Sequence, residues 1–171
     1  SQVDGGAIAV VGEAAVTIST SEFIDNQAQS SGGAIVALRG FSSVAPLTIE
    51  GSAVTGNFSV FGGGGLYAFG GTLEISTSVL SGNRTGLRGS QDAGGALLLG
   101  RSDVTIRESL IWGNSATGNG GGIDASDGSL SILNTTIHGN TALRGGGLFA
   151  LGSANFALVE GSTLTDNQAG R

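Results

Sequence analysis

The sequence predicts an all-β fold, a right-handed parallel β-helix of about six three-stranded coils, on three observations. One eleven-residue segment recurs from end to end with unvarying internal spacing. A second, glycine-led segment alternates strictly with it. Within both, apolar residues are spaced by two and interrupted by Gly and β-branched residues, which selects strands over helices. The 171 residues then form a single domain, 1–171, either a segment of a longer solenoid or a stacking filament subunit.

The glycine-led segment comes first in each coil. It reads Gly-Gly-Gly/Ala-Ile/Leu and starts at Gly5, Gly32, Gly63, Gly94, Gly120 and Gly145, a period of 25 to 31 residues. Paired glycines at a corner permit positive φ and let consecutive coils approach closely. A phosphate-cradling loop would need a following helix and a Lys, and neither is present. The second and third strands lie in the eleven-residue segment, hydrophobic-x-hydrophobic-x-x-Ser/Thr-x-hydrophobic-x-Gly/Asp-Asn. Its copies begin at Val16, Leu47, Leu73, Val104, Leu130 and Ala157, and they end at Asn26, Asn57, Asn83, Asn114, Asn140 and Asn167. Length varies only between segments, as in Arg39–Pro46 and Arg84–Ala93, where insertions map to turns. Propeller blades need about 40 residues and four strands. The leucine-rich-repeat frame is absent.

Stacked coils, ~4.8 Å apart, turn equivalent positions into columns and six coils into a rod ~30 Å long. Three columns are apolar and read as core. They are Ile8, Ile35, Leu66, Leu97, Ile123 and Leu148; then Ile18, Ile49, Ile75, Ile106, Ile132 and Val159; then Phe23, Val54, Leu80, Ile111, Ile137 and Leu164. The terminal asparagines form a polar column, and an amide at the same turn of every coil can pass hydrogen bonds up and down the stack. Such bonds satisfy turn groups that would otherwise be buried unpaired. Ser21, Ser52, Ser78, Ser109, Thr135 and Ser162 are expected to do the same at another corner. Asn57, Asn83 and Asn134 also begin Asn-x-Ser/Thr sequons, and the ladder ties up the first two.

The Gly-Gly-Ala-Ile motifs at Gly5–Ile8 and Gly32–Ile35, with Phe-Ile-Asp-Asn at Phe23–Asn26, resemble the repeats of the chlamydial polymorphic outer membrane proteins. They are also similar to the wider set of bacterial secreted β-helix repeat proteins. Later copies replace Phe with Val, Leu or Ile. The resemblance spans essentially the whole chain. It implies an exported, surface-displayed rod, extracellular or on the cell surface.

Composition narrows the function further. The 33 glycines follow no G-X-Y period, and Val, Ile, Leu and Phe recur too often for a disordered chain. The net charge is −6, with seven Arg, no Lys and no basic run, which argues against nucleic acid. No apolar run approaches the ~20 residues of a membrane-spanning helix. Cysteine is absent, so disulfide and zinc–thiolate frameworks are excluded.

No catalytic, cofactor-binding or metal site is expected. Carbohydrate-active β-helices cluster carboxylates on neighbouring coils, and here the acids scatter. Asp124 stands alone in its column, Asp25 and Asp166 replace a turn Gly in the first and last coils, and Glu50, Arg107 and Glu160 share a corner column without being adjacent. The single histidine, His138, lies one coil above Trp112, where the rings should stack ~5 Å apart. An outward Thr column, Thr17, Thr48 and Thr105, is one residue wide and broken by Glu74 and Ser131, which speaks against ice binding.

One face should be wet and is not. Strand alternation points Ala9, Val36, Tyr67, Leu98, Asp124 and Phe149 outward, followed by Val11, Leu38, Phe69, Gly100, Ser126 and Leu151. Val36, Leu38, Tyr67, Phe69, Leu98, Phe149 and Leu151 together read as an interaction face, unless the loops at Arg39–Pro46 and Arg84–Ala93 cover it. The ends carry no capping helix, and Asp-Asn-Gln-Ala-Gly-Arg placed before Ser-Gln-Val-Asp-Gly-Gly reads like the internal Asn83–Gly95 stretch. The expected partner is therefore another copy, stacked head to tail or packed laterally, or another surface protein or receptor. A carbohydrate-active or carbohydrate-binding β-helix is the alternative.

Overall fold

The fold is seen in a computed structural model that describes residues 5–40, 45–86, 93–152 and 157–170. Every strand pairs in parallel with its equivalent in the next coil. The first strand column runs through Ile8–Val11, Ile35–Leu38, Leu66–Phe69, the first half of Leu97–Arg107, the first half of Ile123–Leu133, and Leu148–Leu151. The second holds Val16–Ser19, Pro46–Glu50, Thr72–Ser76, the latter halves of the two long strands, and Ala157–Glu160. The third holds Glu22–Ile24, Ala53–Thr55, Val79–Ser81, Leu110–Trp112, Thr136–His138 and Thr163–Thr165.

Two details go beyond the expected three strands per coil. The first and second columns belong to one ten-stranded sheet, because Leu97–Arg107 and Ile123–Leu133 run through the bend without a break. A short fourth column follows the asparagine turn. It comprises Gln27–Ala28, Phe58–Ser59, Arg84–Thr85, Thr141–Ala142 and Gln168–Ala169, with Ser115 bridging Arg84 and Thr141.

The three apolar columns register residue for residue, from Ile8 opposite Ile35 through to Ile123 opposite Leu148. Their interior members are essentially sealed from solvent and form one continuous core. Each such side chain contributes roughly 1.5–3 kcal/mol by leaving water. The columns stay aligned because each coil turns at fixed positions. A residue with left-handed backbone sits after every second strand (Thr20, Gly51, Thr77, Glu108, Asn134, Gly161) and after every third (Asp25, Gly56, Gly82, Gly113, Gly139, Asp166). Asp25 and Asp166 thus stand where glycine stands elsewhere, and aspartate is among the side chains that tolerate this region.

The paired glycines answer two separate demands, seen at Gly94 and Gly95. Gly94 has φ +54°, and a Cβ there would overlap the carbonyl of Leu97 in its own turn. A Cβ on Gly95 would overlap the carbonyl of Gly121 in the next coil. The first glycine makes the corner, and the second lets coils close to strand spacing.

Candidate interaction surfaces

The asparagine file is the most ordered polar feature. From Asn26 onward, the backbone N–H and the side-chain Nδ2 of each asparagine donate to Oδ1 of the next, at 2.9–3.1 Å. The remaining Nδ2 hydrogen of Asn57, Asn83, Asn114, Asn140 and Asn167 goes back to a carbonyl of the coil before: Phe23, Val54, Leu80, Ile111 and Ile137 respectively. Asn57, Asn83, Asn114 and Asn140 are fully buried, and each carboxamide makes all four of the bonds it can make.

The Ser/Thr column is a second ladder. Each hydroxyl donates to the carbonyl two residues earlier. From Ser52 onward, each hydroxyl also receives the backbone N–H of the equivalent residue in the coil before. Both ladders point one way, donors toward the last coil and acceptors toward the first. The recurring polar residues are consumed in joining coils.

The seven residues of the apolar side face share one wall, but much of it is closed. Val36 is buried outright; Leu38, Tyr67, Phe69, Leu98 and Phe149 are half-buried; Leu151 is exposed. The expectation of an open apolar face is corrected to that extent. Part of the reason is local packing. Phe69 lies over Gly100 of the next coil, where a Cβ would fall 2.7 Å from the ring, and it tilts against Tyr67 with ring centroids 6.4 Å apart. Asp124, in the same outward column, is buried too, and its Oδ2 accepts the Ala93 N–H at 2.9 Å. It braces the entry to the coil beneath. The covering loops expected at Arg39–Pro46 and Arg84–Ala93 lie partly outside the described residues, at 41–44 and 87–92.

Two features were not read from the sequence. Arg39 is buried between coils, donating through Nη2 to the Ala14 carbonyl and through Nη1 to the Ala45 carbonyl, each at 2.8 Å. Its side-chain carbons pack on Gly71, where a Cβ would come within 2.9 Å of Arg39 Cβ and Cδ. One arginine therefore ties three coils. The Gly70–Gly71 pair, outside the corner motif, was its only trace in the sequence. Arg84 lies over the Phe58 ring at 5.1 Å, a cation–π contact between neighbouring coils. The last coil is open, in line with the expectation of an uncapped end. Val159 and Leu164 end the second and third core columns, yet they are 42% and 46% exposed, while interior members of those columns are near zero. Leu143, Leu151 and Leu158 are exposed as well.

Trp112 and His138 stack on the outer wall of the third column, 5.8 Å apart and 5° from parallel. Among the described residues, no group of three or more His, Cys, Asp or Glu side chains could hold a metal ion. Asp103 takes a hydrogen bond from Ser129 of the next coil at 2.8 Å, and Asp127 pairs with Arg101 in the open at 3.8 Å. No helix among the described residues is long and apolar enough to cross a membrane.

The family described as "Right handed beta helix region" matches the chain over residues 6–171. No curated protein and no solved structure matches it.

Proposed function

The chain belongs to the right-handed β-helix family, and from that premise we propose that it is a structural, non-catalytic rod segment, displayed on a cell surface or secreted. In this reading it extends a filament, stalk or adhesin through coil-on-coil stacking. Its remaining apolar wall serves as a lateral contact to another copy or to a surface receptor. The motifs Gly-Gly-Ala-Ile and Phe-Ile-Asp-Asn support a place among bacterial surface-displayed repeat proteins.

The observation that carries this reading is the pair of ladders, which spend the recurring polar residues on joining one coil to the next. Every coil repeats the same donors and acceptors, so a coil of a second copy can dock in the register that joins coils within the chain. The acids support a non-catalytic role. Asp124 is engaged with the backbone, Asp25 and Asp166 occupy left-handed turns at opposite ends, and Glu74 sits between Thr48 and Thr105.

The purified chain is to be imaged by negative-stain electron microscopy and sedimented over a hundredfold concentration range. Rods that lengthen with concentration are expected. Monodisperse single units throughout would overturn end-to-end stacking. Incubation with acidic and neutral polysaccharides should release no product, and turnover would overturn the non-catalytic reading.

A further inference from the structure

We propose that Asn134 is an acceptor site for N-linked glycosylation, and that the fold withholds the other two sequons. The chain has three such sequences: Asn57-Phe58-Ser59, Asn83-Arg84-Thr85 and Asn134-Thr135-Thr136. A transferase must reach the asparagine carboxamide and the hydroxyl two residues on at the same time. Residues i and i+2 of extended chain share a face, so the sequons at Asn57 and Asn83 are each hidden or presented as a unit.

At the first two sites the unit faces in. Asn57 and Asn83 belong to the asparagine file, fully buried and with every amide hydrogen committed. Their hydroxyl partners are buried as well. Ser59 donates to the Gly62 carbonyl at 3.0 Å, and Thr85 receives the Thr117 N–H at 3.1 Å.

At the third site the parity is reversed, because Asn134 sits at the other turn, after the second strand. It is exposed and left-handed, with φ 48°. Thr135 is the inward member, buried, its hydroxyl given to the Leu133 carbonyl and taking the Ser109 N–H. Thr136 is on the outer face of a strand whose inward residue is the buried Ile137. Among the described residues, neither the Asn134 carboxamide nor the Thr136 hydroxyl is engaged in a hydrogen bond. The equivalent turn residue of the next coil is Gly161, which has no side chain to screen the amide.

The donor is an oligosaccharide linked to a lipid diphosphate. Nδ2 of Asn134 forms a bond to the anomeric carbon and loses one proton. The anomeric C–O bond breaks, and the lipid diphosphate leaves with its electron pair.

The test is to incubate the folded chain with an oligosaccharyltransferase and its lipid-linked donor, and to read intact mass and glycopeptides. One added oligosaccharide per chain, mapped to Asn134, is expected, and none at Asn57 or Asn83. Asn134→Gln and Thr136→Val should each abolish it, with circular dichroism confirming that the coils persist. The urea-unfolded chain should gain glycans at Asn57 and Asn83. Absence of transfer to the native chain would overturn the proposal, as would transfer to native Asn134→Gln at the wild-type level.

Discussion

Asn83 makes four side-chain hydrogen bonds to groups that water cannot reach, in the middle of a file of six. Removing it strands the Asn57 N–H and carboxamide and the Val54 carbonyl. Asn83→Ala should therefore cost ~3–5 kcal/mol, whereas Asn26→Ala, half-buried at the first coil, should cost about 1 kcal/mol. Urea unfolding of both variants checks the difference. A second residue-scale effect has the opposite sign. Glu108 holds a left-handed turn that Gly51 and Gly161 hold elsewhere, with φ 52°. Glu108→Gly should stabilise the chain by ~1 kcal/mol, read as a raised unfolding midpoint. The asparagine file was legible in the sequence because its members share one position in an unvarying frame. Arg39 was not, because its partners Ala14 and Ala45 lie in the irregular stretches between segments, where spacing carries no information.

At the scale of the element, the corner and the strand obey different constraints. Gly95 faces the backbone of the next coil, while a Cβ on Gly113 would meet nothing within 4 Å. Gly95→Ala should push coils apart and cost at least ~3 kcal/mol, while Gly113→Ala should cost only the ~1–2 kcal/mol of its left-handed φ. Thermal melts of the pair separate the two demands. Strand alternation correctly assigns the inward and outward columns, down to the stacking of Trp112 on His138. Alternation does not say how tall the neighbours are. A side chain that points outward can still be covered, as Phe69 is by folding over Gly100.

For the whole molecule, stability is a sum over neighbouring coils, since each coil touches only those above and below it. Hydrogen exchange should be slowest for amides of the interior coils, in Leu73–Thr85 and Leu97–Asn114, and fastest for residues 157–170, whose side chains are mostly exposed. Val159→Asp, a charge placed on the exposed end of the core, should abolish the concentration-dependent lengthening of rods while leaving the circular dichroism spectrum unchanged. The solenoid itself was legible from period and column. The closed side wall was not, because it depends on packing between coils, which no single repeat encodes.

The two hydrogen-bond ladders also give the rod a sense of direction. Along the file, one Nδ2 hydrogen and the backbone N–H of each asparagine go forward to the Oδ1 of the next, so the bonds from amide to amide all run the same way. Two rods brought together by their last coils would set N–H against N–H, and two brought together by their first coils would set oxygen against oxygen. Any lengthening of this solenoid must therefore be vectorial, every unit facing the same way, so that a fibre anchored at one tip offers its surroundings a single kind of tip at the other.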